Sequence, residues 1–180
     1  VAKHLHVPGN VVAHTAASVS KDSLKKSYHH YGVFYPLQSL RKDREGSPEI
    51  PIFTDASDDK AKKILESLAH SISGEWVAEA NDDARLKLHI AAVIVSNFTN
   101  YLYVMAEDYC WKEKIDFNQL LPLIEETAER VKTISPRQAQ TGPALRHDIE
   151  TIKKHLDLLQ AHPQLKKLYE FMTENILSGV

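Results

Sequence analysis

The stretch Asn81–Trp111, NDDARLKLHIAAVIVSNFTNYLYVMAEDYCW, decides how the rest of the chain is read. It contains no Gly or Pro, and from Ile90 to Val95 it is apolar without a break. It is too long for one strand and its polar residues recur at three and four, which predicts a helix. A helix apolar almost all round is expected in the middle of a fold rather than on its surface. At about 100° per residue, Arg85, His89, Ser96, Asn100, Tyr103 and Glu107 fall near one line. Asn97 lies off to one side of that line, nearer the apolar flank. A polar seam on a buried helix must face partner groups, water, a ligand or another subunit, because unpaired polar atoms are costly there.

Upstream of this helix the chain reads as β/α. Residues 11–17 (VVAHTAA), 31–35 (YGVFY), 51–55 (PIFTD) and 75–80 (EWVAEA) are short, β-rich runs bounded by turn formers. Ser20 is placed to cap a short helix, and a charged loop, RKDREGSPEIP, separates the second strand from the third. Ser57 is placed to cap an amphipathic helix with Ile64, Leu65, Leu68 and Ile72 on one face and Gly74 just past its end. Downstream all is helical. Asp116-x-x-Gln119 is a capping-box pattern, with Pro122 predicting a kink or a start one turn later. Further helices are expected from about Pro143 to Gln160 and from Pro163 to about Leu177. The division expected is residues 1–80 as the α/β part and 81–180 as an all-α part.

Hydrophobic content of 43% permits a sizeable core. A net charge of −2 leaves no electrostatic footprint for nucleic acid. The single cysteine, Cys110, excludes an intramolecular disulfide framework and fits a reducing compartment. The Ile90–Val95 run is far too short to span a bilayer, so no membrane partner and a cytoplasmic location are expected. Ten histidines occur without an H-E-x-x-H pattern or a thiolate cluster, so no metal is expected. G-x-S-x-G, G-x-G-x-x-G and the P-loop are also absent from the sequence.

Four stretches carry candidate chemistry, each with a structural alternative. HTAAS, His14 to Ser18, puts small residues at the end of a strand, where ligands bind in open α/β sheets; an ordinary tight turn reads the same way. YPLQSL, Tyr35 to Leu40, offers Gln38 to hydrogen-bond a ligand at the Pro36 exit; a Pro-led turn explains the stretch equally well. In KLHIAAVIVSNFTN, His89 could act as acid or base while Asn97 and Asn100 hold a substrate oxygen. The alternative is that these amides bond neighbouring backbone. In QTGPALRHD, Gln140, Thr141 and Gly142 lie at the expected mouth of a helix, suited to an anion, with Arg146 and Asp148 one turn in. The alternative there is capping, with Arg146 paired to a carboxylate.

HTAAS, YGVFYPLQSL, PIFTDAS, KLHIAAVIVSNFTNYLY, LLPLIEETAERV and AQTGPALRHD occur in that order. Together they resemble bacterial Rossmann-type proteins with a C-terminal helical domain of unknown function, labelled NADP- or deazaflavin-dependent oxidoreductases. That family is similar in architecture to the 6-phosphogluconate dehydrogenase group. The resemblance implies the remnant of a Rossmann-type sheet followed by an all-α domain like the C-terminal domain of that group. It also implies that the nucleotide-binding half, with its glycine-rich turn, lies mostly upstream of Val1. NADP is the cofactor implied, with His14, Thr15 and Pro36 on its side of the cleft. Ser18 and Gln38 would close the nicotinamide side, and Gln140 to Gly142, Arg146 and Asp148 would hold a small anionic substrate. The wider superfamily uses a Lys and an Asn on the first long helix for proton transfer and substrate orientation. Lys87, His89, Asn97 and Asn100 occupy that helix here, at a Lys-to-Asn spacing different from the close one usual there, and His89 is the candidate acid. The helical domain is expected to form a homodimer. The competing reading is a non-catalytic ligand-binding or dimerisation module that retains a dehydrogenase fold.

Overall fold

A computed structural model describes residues 9–39 and 50–179. The chain divides into two compact units, Val1–Thr99 and Asn100–Val180. Residues 1–8 and most of the charged loop after Ser39 lie outside the described residues.

The first unit is a four-stranded mixed sheet in the order β1 (Val12–His14), β2 (Tyr31–Pro36), β3 (Ile52–Ala56), β4 (Val77–Glu79). The outer pairs β1–β2 and β3–β4 are parallel and the central pair β2–β3 is antiparallel. All four expected strands form; the first and fourth are trimmed at both ends, the second runs on to Pro36 and the third is shifted by one residue. Ser20 caps a short 3-10 turn, Lys21–Leu24, as its sequence predicts. The period-two alternation of β2 and β3 sends side chains to two faces, and both are covered. On one face, Ile52 and Ile50 pack with Ala69 of α1 (Asp59–Ser73), joined by Phe34 and Val77. On the other, Ala17, Val33 and Tyr35 pack with Leu37, Phe53 and Leu88, the last from α2 (Asp82–Ala92).

Helix α1 approaches the sheet through small residues. Its buried stripe is Ala61, Leu65, Ala69 and Ser73, so Ile64, Leu68 and Ile72 form a separate stripe that stays 46%, 48% and 47% exposed. The N-cap is Asp58 rather than Ser57; its carboxylate accepts from the amides of Lys60 and Ala61, while Ser57 donates to Asp58 at 2.7 Å. Gly32 lets α1 settle. A Cβ there would stand 2.3 Å from the Asp55 carbonyl oxygen and 2.6 Å from Leu65 Cδ1.

The chain is helical from Asp82 to Glu113, but not uniformly so. Between α2 and α3 (Thr99–Glu113) the turn widens into a π-helix, Val93–Phe98. The expectation that this helix lies buried in the middle of the fold is not met within the chain. Ile90, Ile94, Val95 and Phe98 are 57%, 53%, 73% and 60% exposed. The sheet is narrow, and it covers only the side of α2 that carries Arg85, Leu88 and His89; the rest of the apolar circumference has no partner among the described residues of the unit.

Arg85 is the exception, only 1% exposed. Its Nε donates to Ala17 O at 3.1 Å, Nη1 to Ala80 O at 3.4 Å, and Nη2 to Val19 O at 2.7 Å and Asp82 Oδ1 at 2.6 Å. One guanidinium therefore ties the β1 exit, the β4 exit and the first turn of α2. Burial works to raise the Asp82 carboxyl, but hydrogen bonds from Ser20, Arg85 and the Lys21 amide outweigh it and bring it to about 2.

In the second unit, α3 is followed by a 3-10 turn, Phe117–Leu120, capped by Asp116, and then α4 (Leu121–Arg130), so Pro122 marks a start one turn later. Helices α5 (Pro136–Ala139), α6 (Ile149–Leu158) and α7 (Pro163–Leu177) complete it. Its buried polar contacts are His162 with Glu113 at 2.7 Å and His155 with Tyr169 at 2.8 Å. The helix expected from Pro143 begins later, at Ile149 with Asp148 as N-cap. A small mixed sheet followed by a mostly helical region is the architecture.

Gly32→Ala is expected to lower stability by about 1–3 kcal/mol, since a backbone carbonyl cannot swing aside; urea unfolding at matched m-value measures it, and an unchanged midpoint refutes the close approach. Arg85→Met is expected to cost about 3–5 kcal/mol, because it leaves buried carbonyls without a donor and Asp82 without its cation. A loss below 1 kcal/mol in the same experiment would show that the three segments hold without it.

Candidate functional site

The first unit contains an open cleft of about 520 Å³ between the exit of β2 and the α2–π segment. That volume lies in the range of small-molecule sites. Leu37, Leu88 and Val95 supply apolar wall; Tyr35, Gln38, Ser39, His89, Ser96 and Asn97 supply hydrogen-bonding groups.

Two local features of the chain bring these groups together. Tyr35 is the last large residue of β2 before Pro36, on the face covered by α2. Its hydroxyl lies 3.1 Å from His89 Nδ1, and the two rings meet edge to face with centroids 6.4 Å apart. Burial raises the Tyr35 phenol above its ordinary value, against the pull of the Arg85 charge, so it keeps its proton near neutrality. The second feature is the π turn. Single wide turns inside helices occur often at functional sites. Here the widening breaks the straight 100° progression, and Asn97, off the predicted seam, lines the same cleft as His89 and Ser96. Thr99 Oγ1 donates to Ile94 O at 3.2 Å, satisfying a carbonyl in the disturbed turn.

The structure brings His89, Asn97 and Gln38 to this cleft. Gln38 Oε1 accepts from the Ser39 amide at 3.0 Å. Lys87 does not line it. Its ammonium pairs with Asp83 at 2.6 Å, both side chains 73% exposed, because it lies on the solvent side of α2. Asn100 is exposed and belongs to the second unit. Ser18 is exposed in a turn whose flanking carbonyls, Ala17 O and Val19 O, are the ones held by Arg85.

The three residues expected on the cofactor side are not among those lining the cleft. His14 Nδ1 accepts from the Ala16 amide and its Nε2 meets Ser20 O, each at 3.3 Å, so its ring closes the turn after β1. Thr15 is exposed, and Pro36 faces Ile52 in the β2–β3 ladder.

In the second unit, Gln140 and Thr141 line a smaller pocket of about 320 Å³ with Arg130 and Glu126. Gln140 Nε2 donates to Thr141 O at 2.9 Å, and Gly142 takes φ +110°. The anion-binding argument for this stretch loses its premise. The helix starts at Ile149, and its free amides already have an anion: Asp148 accepts from Thr151 N at 3.1 Å and from Thr151 Oγ1 at 2.7 Å. Those two bonds hold the Asp148 carboxyl below its usual range. Arg146 is exposed in the preceding turn. The capping alternative describes Asp148.

Sequence reasoning missed Tyr35 and Ser39 as cleft groups. The signal for Tyr35 was present in the alternation Tyr31, Val33, Tyr35, which puts an aromatic hydroxyl on the face that meets the polar seam.

Residues 50–176 match the model of a domain of unknown function, DUF2520. The chain is similar to a crystal structure from Bacteroides fragilis, BF3122, described as a "putative NADP oxidoreductase": 38% identity, TM-score 0.87, covering 93% of this chain and 65% of that one. It thus spans about two thirds of that protein's length, just short of it. It is similar in fold to TM1727 from Thermotoga maritima, at 24% identity and TM-score 0.77, covering 97% of this chain and 70% of that one. No curated protein matches the chain. With the match covering the third strand through the last helix, the chain belongs to the DUF2520 family.

Proposed function

We propose that this chain contributes the reacting cleft of an NADP-dependent oxidoreductase that moves a hydride between nicotinamide and a carbonyl or imine of a small substrate. The observation that carries the reading is the convergence of His89, Asn97, Ser96 and Gln38 on one partly apolar cleft, in a chain similar to the Bacteroides protein. Under this reading His89 gives or takes the proton at the reacting oxygen or nitrogen, Asn97 orients that atom, and Leu88 and Val95 exclude water around it.

The described residues fit only the reacting end of the cofactor. The cleft has apolar wall for a nicotinamide ring and polar groups for its amide, with Gln38 and Ser39 the ones to hold it. Nothing in the sequence has the glycine pattern that cradles a dinucleotide phosphate. The bound nicotinamide supplies hydride chemistry; the chain's own part is positioning and the proton.

A second reading, association of two copies, is favoured by a separate observation: the exposed apolar side chains Ile90, Ile94 and Phe98 on consecutive turns, none of which lines the cleft. A patch of this kind on one helix suits an isologous contact, in which the same face meets itself. It is compatible with the oxidoreductase reading and is what remains if turnover is absent.

For the full-length gene product, NADPH fluorescence titration is expected to show saturable binding, followed by NADPH oxidation on a panel of small 2-oxo acids, ketones and cyclic imines. His89→Gln is expected to lower kcat by about 10²–10⁴-fold and Asn97→Ala by about 10²–10³-fold, with thermal midpoints unchanged. Wild-type rates in both variants would remove these residues from the chemistry. In sedimentation equilibrium the chain is expected to be a dimer, and Ile94→Glu with Phe98→Glu a monomer. A monomeric wild type, or one dispersed only by detergent, overturns the second reading.

A further inference from the structure

We propose that Tyr35 is a positioning residue for His89: its hydroxyl donates to Nδ1 and so fixes the neutral imidazole as the tautomer that carries its proton on Nε2. The argument starts from the strand. Tyr35 stands on β2, an inner strand of the sheet, opposite Phe53, with only 8% of its surface exposed. Its backbone is held by ladder hydrogen bonds and its ring by Val33 and Leu88 in the same cluster, so the hydroxyl has little room to move. His89 is one turn beyond Arg85 on α2, and Arg85 is itself anchored to the ends of β1 and β4. Both rings are therefore fixed from opposite sides of the cleft, at 3.1 Å and an interplanar angle of 76°.

The chemistry of the pair selects a direction for the bond. A phenol that retains its proton has one O–H to donate, and a neutral imidazole has one bare nitrogen to accept it. Among the described residues, His89 Nδ1 is the polar atom the structure sets within hydrogen-bond distance of that hydroxyl, and we take the phenol as the donor. With Nδ1 occupied, the imidazole proton sits on Nε2, and Nε2–H is what the ring can offer to a ligand in the cleft. The second nitrogen's hydrogen bond sets the tautomer, as for histidines that act as acids, bases or ligands generally. Ser39, Ser96 and Asn97 line the same space and supply the neighbouring contacts for whatever that N–H meets.

The use made of the tautomer rests on the oxidoreductase reading, but its test does not. Long-range ¹H–¹⁵N correlation on uniformly labelled protein reports which imidazole nitrogen carries the proton. The His89 signal among the ten histidines is identified by its loss in His89→Gln. The expected result is a single Nε2–H pattern in the wild type and the appearance of the Nδ1–H form in Tyr35→Phe. A wild-type His89 protonated at Nδ1 overturns the proposal, as does a Tyr35→Phe pattern identical to wild type in a protein with unchanged far-UV circular dichroism. If Tyr35→Phe fails to fold, the wild-type tautomer decides alone. Absent turnover with the expected tautomer would defeat the oxidoreductase reading and leave this one standing; hydride transfer with the opposite tautomer would do the reverse.

Discussion

The buried guanidinium of Arg85 is the constraint on which the first unit depends. An arginine can be taken out of water only where its donors find partners, and its planar fork suits several fixed acceptors at once. Here the acceptors are the Ala17, Val19 and Ala80 carbonyls and the Asp82 carboxylate. These carbonyls belong to chain leaving the sheet, where no ladder is left to satisfy them. Arg85 therefore ties the chain that follows two strands to the first turn of α2, which Asn81 caps, and sets where the next turn of that helix meets β2. The cleft is a consequence: Leu88 packs on Tyr35 and His89 reaches its hydroxyl because Arg85 has fixed the helix one turn earlier.

Close approach on one face of the sheet balances openness on the other. Gly32 and the small residues of α1 bring that helix against the sheet, with Ala61 and Ala69 wholly buried. On the far face, β2 leaves the sheet at Pro36 and the helix widens at Val93–Phe98, so backbone and side chains diverge into a space of about 520 Å³. A regular α-helix would have carried Asn97 round toward the apolar flank. The π turn spends helical regularity to place an amide in the cleft, and Thr99 compensates through its bond to Ile94 O.

The exposed apolar surface of the same helix has a different character from the cleft. It is made of Ile90, Ile94 and Phe98, each more than half exposed and none of them lining the cleft. The polar groups of the cleft lie among small apolar neighbours, Ala91 and Ala92, on a concave wall. One helix thus presents two chemistries: a side that can order a polar ligand and a side whose water contact is unfavourable in an isolated chain. The helix is also long and apolar enough to meet the dimensions of a bilayer span, though Asp82, Asp83, Glu107 and Asp108 lie within it.

The sequence by itself determined the elements. Alternation in YGVFYP and IFTDA, and the cap and stop residues Ser20, Gly74, Asp116 and Pro163, place the strands and most helix ends, because those signals depend on neighbours a few residues away. The order of motifs also pointed to the family; His89 and Asn97 were legible as polar residues of the long helix, and Gln38 as one beside a strand exit. Tertiary structure decided what each of them faces. That Arg85 spends its donors on carbonyls of Ala17 and Val19, more than sixty residues away, follows from no local pattern. Nor does the burial of Ala61 and Ala69 in preference to Ile64 and Leu68, which depends on how near Gly32 lets the helix come. Asp148 was legible only as one of two things, and the backbone before Ile149 made it a cap. Periodicity gives the composition of a helix face; whether that face meets a sheet, a cleft or solvent is set by the surfaces available to pack against it, and these exist only once the chain has folded.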